Sequence, residues 1–203
     1  RRFQPDGDPA ARARLVPPGD RLLLHASNFR KVKNVPAVGE IFARVAAELP
    51  CRLLLVGEGP ELAGLLDDLA DRGLADRVIG LGVVDDLERL LPLADLVLLP
   101  SWHESFGLVA LEAMSCGAPV IATDRGGTDE FIDHGVNGFL HDPEDLDGMT
   151  ATALAVLRDE ELRRHVGEEA RRDAVASFGA RCVLTRYVEL YDRVLGGGPP
   201  RAG

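Results

Sequence analysis

Short apolar runs alternate with longer amphipathic stretches along most of the chain. From Arg21 onward, each apolar run has the length of a buried strand, and helix-length stretches separate the runs. The predicted strands are RLLLHA, CRLLLVG, RVIGLG, DLVLLP and APVIAT, with a short sixth strand near NGFLH. The predicted helices between them are VPAVGEIFARVAAEL, PELAGLLDDLADRG, DDLERLLPLA and GLVALEAMSCG. Continuous apolar strands separated by helices are typical of a parallel sheet covered on both faces, so we predict a doubly wound α/β domain.

Three segments are predicted along the chain. Residues 1–20 are rich in Pro, Gly, Asp and Arg without apolar periodicity, so they are predicted to be a linker or lead-in. Residues 21–195 are predicted to form one Rossmann-like domain, which becomes helical from Pro143 onward. Residues 196–203 are predicted to be a flexible tail. In an open parallel sheet the ligand lies outside the carboxyl ends of the strands, so a site is expected in the loops that follow them.

Composition and charge narrow the classes of function. The chain of 203 residues carries a formal charge of −10, which disfavours a nucleic-acid-binding surface. It has no apolar run of membrane-spanning length and no signal segment at its start, so we expect a cytoplasmic protein without an integral membrane segment. Its three cysteines form no C-x-x-C pair, and neither disulfides nor a zinc site are suggested. A local basic cluster that binds a small anion remains compatible with this composition.

The turn after the second strand lies where a dinucleotide-binding fingerprint would be found, but it lacks part of the glycine pattern. Gly57 and Gly59 follow an apolar strand and precede a helix, but G-x-G-x-x-G would need glycine where the chain has Leu62. A tight strand-to-helix turn explains these glycines, and contact with a ligand phosphate is the alternative. The incomplete pattern disfavours a dehydrogenase or a flavodoxin-like domain.

A basic cluster follows the first strand. Arg30, Lys31 and Lys33 occur within four residues of an acidic protein, next to the predicted start of a helix. Cations and free backbone N–H groups at the carboxyl end of a strand together make a phosphate-binding site. A solvated basic turn is the alternative, and the position at the ligand edge favours the phosphate site.

The stretch ESFGLVALEAMSCGAPV contains two glutamates: Glu104 precedes the fourth predicted helix, and Glu112 lies within it. Ser105 can cap this helix, and Gly107 lets the backbone approach a ligand closely. Glu104 would compete with an anion for the helix N–H groups, so it is better placed to accept hydrogen bonds from sugar hydroxyls. Glu112, on the second turn, can point back along the pocket and accept hydrogen bonds from a cis-diol such as that of ribose. The alternative is that Glu112 is an exposed helix residue and Glu104 a loop charge.

These motifs resemble those of a known enzyme family. HESFGLVALEAMSCGAPVIAT, followed by GGTDEFIDHGVNGFL, is similar to the nucleotide-sugar half of the family-four retaining glycosyltransferases, which have the GT-B fold of two Rossmann-like domains. Their Glu-x7-Glu signature falls on Glu104 and Glu112. The resemblance implies that Glu104 meets the donor sugar and that Glu112 binds the donor ribose. It also implies that the backbone of Phe106, Gly107 and Leu108 meets the sugar and diphosphate.

The remaining donor-site residues are implied by the same resemblance. The family's basic pair reads Gly-Arg-x-x-x-x-Lys, and alignment on Lys33 places Ser27 and Asn28 at the Gly and Arg positions. We therefore expect Arg30 to replace the missing Arg. Glu104, Arg30 and Lys33 are the predicted catalytic residues, since the cations and the helix N-terminus would stabilise the leaving diphosphate. The other predicted donor contacts are Ser105, Asn28, Gly57 and Leu81, the last through its backbone at the nucleotide base.

The resemblance also implies the substrates and what else the enzyme needs. Family members use a UDP- or GDP-sugar, retain configuration, and usually need no metal or cofactor for the donor. The segment SNFRKVKN is similar to that of members that join UDP-N-acetylglucosamine to L-malate in bacillithiol biosynthesis.

A GT-B enzyme also needs an N-terminal acceptor domain, which this sequence does not show. We expect the final helix, YVELYDRVL, to cross back to that domain, and the chain alone to bind donor without turnover. The alternative is a non-catalytic module of the same fold that binds a nucleotide or a sugar phosphate.

Overall fold

A six-stranded parallel sheet forms the centre of the molecule. The computed structural model of the chain describes residues 2–195. The strands are β1 (Arg21–Ala26), β2 (Cys51–Val56), β3 (Val78–Gly80), β4 (Leu96–Leu99), β5 (Val120–Thr123) and β6 (Phe139–His141). They pair in the order β3-β2-β1-β4-β5-β6. The order reverses between β1 and β4, so the topological switch point lies at the carboxyl ends of these two strands.

Helices cover both faces of the sheet, which confirms the predicted doubly wound α/β class. They are α1 (Pro9–Leu15), α2 (Val35–Glu48), α3 (Leu62–Asp71), α4 (Leu108–Ser115), α5 (Leu146–Arg158), α6 (Glu160–Phe178) and α7 (Ala180–Leu195). Short 3-10 turns lie at Lys31–Lys33, Ala75–Arg77, Leu87–Arg89, Leu91–Leu93 and Gly127–Glu130. Across residues 2–195, the helices are too short or too polar to cross a membrane.

The strands are apolar throughout because both of their faces are buried. In β1, Leu23 packs in a core cluster with residues of α2, α3 and α5, whereas Leu22 and Leu24 pack in a second cluster with residues of α4. Each of these leucines is fully buried. A strand buried on both faces reads as a continuous apolar run, which is why the sequence pattern locates these strands well.

The first twenty residues contain a helix that the sequence pattern does not predict. Asp8 caps α1 by accepting a hydrogen bond from the Ala10 N–H at 2.9 Å, and Pro9 occupies the first helical position. Val16, directly after the helix, is buried in the core. Part of the predicted lead-in therefore packs with the domain.

The predicted helix over residues 85–94 is wrong. The structure has two short 3-10 turns there, Leu87–Arg89 and Leu91–Leu93. Pro92 has no N–H to donate and its ring clashes with the preceding turn, so an α-helix cannot continue through it. The predicted tail, residues 196–203, lies outside the described residues.

Candidate functional site

A cavity of about 280 Å³ lies at the switch point between β1 and β4. Its walls bring together predicted site residues that are far apart in the sequence, namely Lys33 and the segment from Glu104 to Leu108. The lining residues are Ala26, Lys33, Leu99, Glu104, Ser105, Phe106, Gly107, Leu108 and Val109. The candidate site therefore occupies the place where open α/β sheets bind ligands.

Lys33 and Glu104 form an ion pair inside this cavity. The Lys33 Nζ lies 2.7 Å from the Glu104 Oε1, and the Ser101 hydroxyl donates to the same oxygen at 2.6 Å. Glu104 is buried, with 8% of its surface exposed, and these charge-assisted bonds compensate its burial. The role of Ser101 could not be predicted from the sequence, since a serine after a strand carries no signal of its own.

Backbone contacts with the loop after β5 hold Glu104 in place. The Glu104 N–H donates to the Arg125 carbonyl at 3.0 Å, and the Glu104 carbonyl accepts from the Gly127 N–H at 2.8 Å. Gly126 lies between them with a φ of 119°, and a Cβ there would overlap the Glu104 carbonyl oxygen. Only glycine fits this approach, so the loop after β5 fixes the carboxylate's position.

The N-terminus of α4 borders the cavity without a side-chain cap. Gly107 is the N-cap, in the left-handed region with a φ of 86°, and it accepts the first helical bond from the Leu111 N–H at 3.1 Å. The prediction that Ser105 caps this helix is wrong, because the helix begins at Leu108. Within residues 2–195, no side chain bonds to these first N–H groups from the cap position, so they can bind an anion.

The structure places the members of the basic cluster differently. Lys33, at the end of the Lys31–Lys33 turn, is partly buried and lines the cavity. Arg30 and Lys31 are exposed on the same turn, and Asn28 is exposed just before it. Among the described residues, Lys33 is therefore the cation that lines the cavity, and Arg30 lies exposed three positions before it.

A buried histidine holds the turn that carries these cations. The Nδ1 of His25 lies 2.7 Å from the Leu98 carbonyl, and its Nε2 lies 2.8 Å from the Ser27 hydroxyl. A carbonyl only accepts, so Nδ1 carries the proton and Nε2 accepts from Ser27. The Ser27 oxygen in turn accepts from the Phe29 N–H at 3.0 Å. Burial is the main factor that lowers the pKa of His25, to about 4.

Glu112, Gly57 and Leu81 lie outside this cavity. Glu112 is partly buried on α4; burial raises the pKa of its carboxyl, and the nearby charge of Arg2 opposes this shift. The Gly57 N–H donates to the Gly82 carbonyl at 2.7 Å, and the Leu81 N–H donates to the Leu55 carbonyl at 3.0 Å. Gly57 directly follows β2 and Leu81 directly follows β3, whereas Glu112 lies near Arg2 and Glu88.

Two of the cysteines are buried, and residues 2–195 contain no cluster of possible metal ligands. Burial is the main factor that raises the pKa of Cys51 and of Cys116 to about 12, so neither forms a thiolate at neutral pH. This part of the chain contains no group of three or more His, Cys, Asp or Glu side chains that could hold a metal ion.

A larger groove of about 890 Å³ lies between α2, α3 and the loop residues Trp102 and Pro143. Several of its charged side chains pair with one another: Glu40 with Arg44 and Arg72, each at 2.7 Å, and Asp68 with Arg72 at 3.0 Å. The cavity at the switch point is the better candidate site, because it lies where open α/β sheets bind ligands and contains the Lys33–Glu104 pair.

The sheet order and the cavity define a Rossmann-like α/β domain with a candidate site at its topological switch point. Comparison with known proteins identifies the family more closely. Residues 8–173 match the sequence pattern of the family described as "Glycosyl transferases group 1", and the chain belongs to this family. The match covers most of the chain, including β1 to β6 and both signature glutamates.

Relatives and solved structures agree with this family. The chain is 44% identical, over 176 residues, to N-acetyl-alpha-D-glucosaminyl L-malate synthase of Bacillus anthracis, a match that covers 87% of this chain and 46% of the relative. It resembles sucrose-phosphate synthase from Thermosynechococcus elongatus, with a TM-score of 0.83, 28% identity, and coverage of 97% of this chain and 50% of that one. Anabaena Alr3699/HepE in complex with UDP and glucose gives a TM-score of 0.84 at 26% identity, over 94% and 55% of the two chains.

These matches confirm the predicted resemblance to GT-B glycosyltransferases. They also show that the chain spans about half the length of the curated relatives it matches.

Proposed function

We propose that the chain is the donor-binding half of a retaining glycosyltransferase that transfers N-acetylglucosamine from UDP-N-acetylglucosamine to L-malate. The Lys33–Glu104 pair beside the uncapped N-terminus of α4 is the observation that supports it most directly. This arrangement offers a cation and free N–H groups for a diphosphate, and next to them a carboxylate for sugar hydroxyls. The donor and the acceptor are taken from the similarity to the Bacillus anthracis synthase.

The ion pair suggests how the donor would be received. A diphosphate at the N-terminus of α4 would compete with Glu104 for Lys33, because both are anions within reach of one ammonium group. The carboxylate would then accept hydrogen bonds from the sugar while Ser101 holds it in place. Arg30, exposed three positions before Lys33, would contribute a second positive charge that stabilises the leaving diphosphate.

The nucleoside would extend from the diphosphate towards β2 and β3. Glu112 is a partly buried carboxylate, and a ribose diol would satisfy its hydrogen-bonding capacity. Its neighbours after β3 include Glu88, so Glu112 lies near the loop in which the base would be read. The other proposed donor contacts are Asn28, Gly57, Leu81, Ser105, Phe106, Gly107 and Leu108.

A second domain would supply the acceptor site. The curated relatives are about twice as long as this chain, and GT-B enzymes work in the cleft between two domains. Helix α7 carries a row of exposed apolar side chains suited to such a partner: Leu184, Tyr187, Val188, Tyr191 and Val194. We therefore propose that this chain binds donor but does not transfer sugar alone. Transfer to L-malate by this chain without a second domain would refute that part of the proposal.

Calorimetric titration of the chain with UDP tests the donor site. We expect UDP and UDP-N-acetylglucosamine to bind with dissociation constants on the order of micromolar to low millimolar. Replacing Glu112 with Ala should weaken UDP binding by about tenfold, because the ribose loses a charged hydrogen-bond acceptor.

The matched control is Glu168→Ala. Glu168 is an exposed glutamate of α6 that pairs with Arg164, so its removal should leave UDP binding unchanged. Binding of NAD in place of UDP, or equal UDP affinity in the Glu112 variant, would contradict the assignment. Binding of GDP-sugars in preference to UDP-sugars would keep the donor domain and change the substrate.

Metal dependence is the second test of the site. We expect UDP to bind with unchanged affinity in the presence of EDTA, since Lys33, Arg30 and the first N–H groups of α4 would neutralise the diphosphate. The same titration, repeated with magnesium added in excess, gives the comparison. A large gain in affinity with magnesium would show that the diphosphate needs a metal ion.

A further inference from the structure

Three phenylalanine rings form a closed cluster next to the candidate site. The Phe106 and Phe131 ring centroids are 5.4 Å apart, those of Phe106 and Phe178 are 5.9 Å apart, and those of Phe131 and Phe178 are 5.7 Å apart. The two pairs that include Phe178 are edge to face, the geometry favoured by aromatic quadrupoles. Each ring is in direct contact with the other two, so a shift of one changes the packing of all three.

The cluster connects the end of α6 to the beginning of α4. The two helices pack side by side in opposite directions: Gly167, early in α6, lies against Gly117 just after α4, and Arg171 donates to the Ser115 carbonyl. Phe178 is the last residue of α6, so this alignment carries its ring to the N-terminus of α4.

The loop that Phe178 contacts is the one that would hold the diphosphate. Phe106 lines the cavity and directly precedes Gly107, the N-cap of α4. Gly107 has a positive φ and no side chain, so its backbone depends on its neighbours for a fixed conformation. Thr128 and Phe131 both pack against this glycine, 2.6 Å and 3.6 Å from the position that a Cβ would take. The ring cluster is therefore part of the packing that limits motion at the first N–H groups of α4.

We infer that Phe178 is a positioning residue for the donor diphosphate: its ring holds Phe106, and with it the uncapped N-terminus of α4, in the conformation that binds the phosphate attached to the sugar. This inference rests on the proposed function. Glu104 and the N-terminus of α4 border one cavity, so a sugar on Glu104 places its own phosphate, the distal one of UDP, beside the helix. Phe178 itself does not line that cavity and acts through Phe106.

The ratio of UDP affinity to UMP affinity tests this role. UMP lacks the distal phosphate, so it keeps the contacts of the nucleoside and loses those of the N-terminus of α4. In Phe178→Leu the side chain stays apolar and bulky but the edge-to-face pairs are lost, and we expect UDP binding to weaken by about tenfold. UMP binding should change by less than about twofold. Phe178→Tyr, which keeps the ring, should restore the original ratio.

Phe139→Leu is the matched control, because Phe139 packs edge to face on His134, outside the three-ring cluster. It should leave the UDP to UMP ratio unchanged. If Phe178→Leu does not fold, Phe131→Leu removes another ring of the same cluster and should give the same loss for UDP. An unchanged ratio in a folded cluster variant, or an equal change in Phe139→Leu, would overturn the inference while leaving the proposed function intact. If the unsubstituted chain binds no UDP, the proposed function itself fails.

Discussion

Replacing Asp95 with Ala is expected to lower the free energy of unfolding by about 3–5 kcal/mol, the range found when one partner of a buried ion pair is removed. The Asp95 side chain is only 10% exposed and lies among three guanidinium groups. Arg12 is 2.6 Å away, Arg163 is 3.4 Å away and Arg21 is 3.7 Å away. The same carboxylate accepts a hydrogen bond from the Leu22 N–H at 2.8 Å. Without it, three like charges would remain together and partly buried.

The cluster around Asp95 also fastens α1 to the sheet. Arg12 belongs to α1, Leu22 to β1 and Arg163 to α6. Burial lowers the pKa of Arg163, and the positive charge of Arg21 adds to this shift. The arginines therefore already repel one another in the intact protein. We expect hydrogen exchange in α1 to accelerate in the Asp95 variant, beyond the general loss of stability.

Urea unfolding gives the measurement, and Asp147→Asn gives the control. Asp147 pairs with Arg44 at 2.6 Å, but its side chain is 94% exposed. An ion pair in solvent contributes little, so the control should unfold close to the unsubstituted chain. If the two substitutions changed the free energy of unfolding by equal, small amounts, water would be screening the charges around Asp95 as it screens the surface pair.

The sequence pattern predicts the strands well and the segments without a continuous pattern poorly. β1, β2, β4 and β5 are apolar runs bounded by polar or turn residues. Both of their faces are buried, so almost every position in them is apolar and the runs are easy to locate. The apolar residues from Asp85 to Ala94 have the spacing of a helix. Pro92 interrupts an α-helix there, and the segment forms two 3-10 turns instead. Helix α1 is short and lies among Pro, Gly and Asp residues that are typical of a loop, so the pattern does not predict it. Its cap and the contact of Arg12 with Asp95 stabilise it in the structure.

The contacts of the candidate site depend on strand order, which local sequence does not contain. Lys33 and Glu104 lie 71 positions apart and meet because β1 pairs with β4. The family signature indicates that both glutamates matter, but it does not show that Glu104 lies with Lys33 while Glu112 lies outside the cavity. The contribution of Phe178 is hidden for the same reason, since it depends on the antiparallel packing of α6 on α4.

Acid is expected to destabilise the protein through His25. The pKa of this buried imidazole is about 4 in the folded chain, and an unfolded histidine has a pKa of about 6.5. Between these values the unfolded chain binds a proton that the folded chain excludes, so stability is full above about pH 6.5 and falls as the pH is lowered. Linkage gives a loss of about 2 kcal/mol between about pH 7.5 and about pH 5 from this residue alone.

His25→Gln should remove that pH dependence, because an amide does not titrate in this range, even if the lost ring lowers stability at every pH. His103→Gln is the matched control: His103 is exposed, one position before Glu104, and its variant should keep the pH slope of the unsubstituted chain. Urea unfolding of the three proteins across this pH range gives the comparison. A slope in His25→Gln equal to that of the unsubstituted chain would assign the acid sensitivity to other groups. A reduced slope would assign the acid sensitivity to His25, whose Nε2 accepts from Ser27 in the neutral ring and would have to donate to it once protonated.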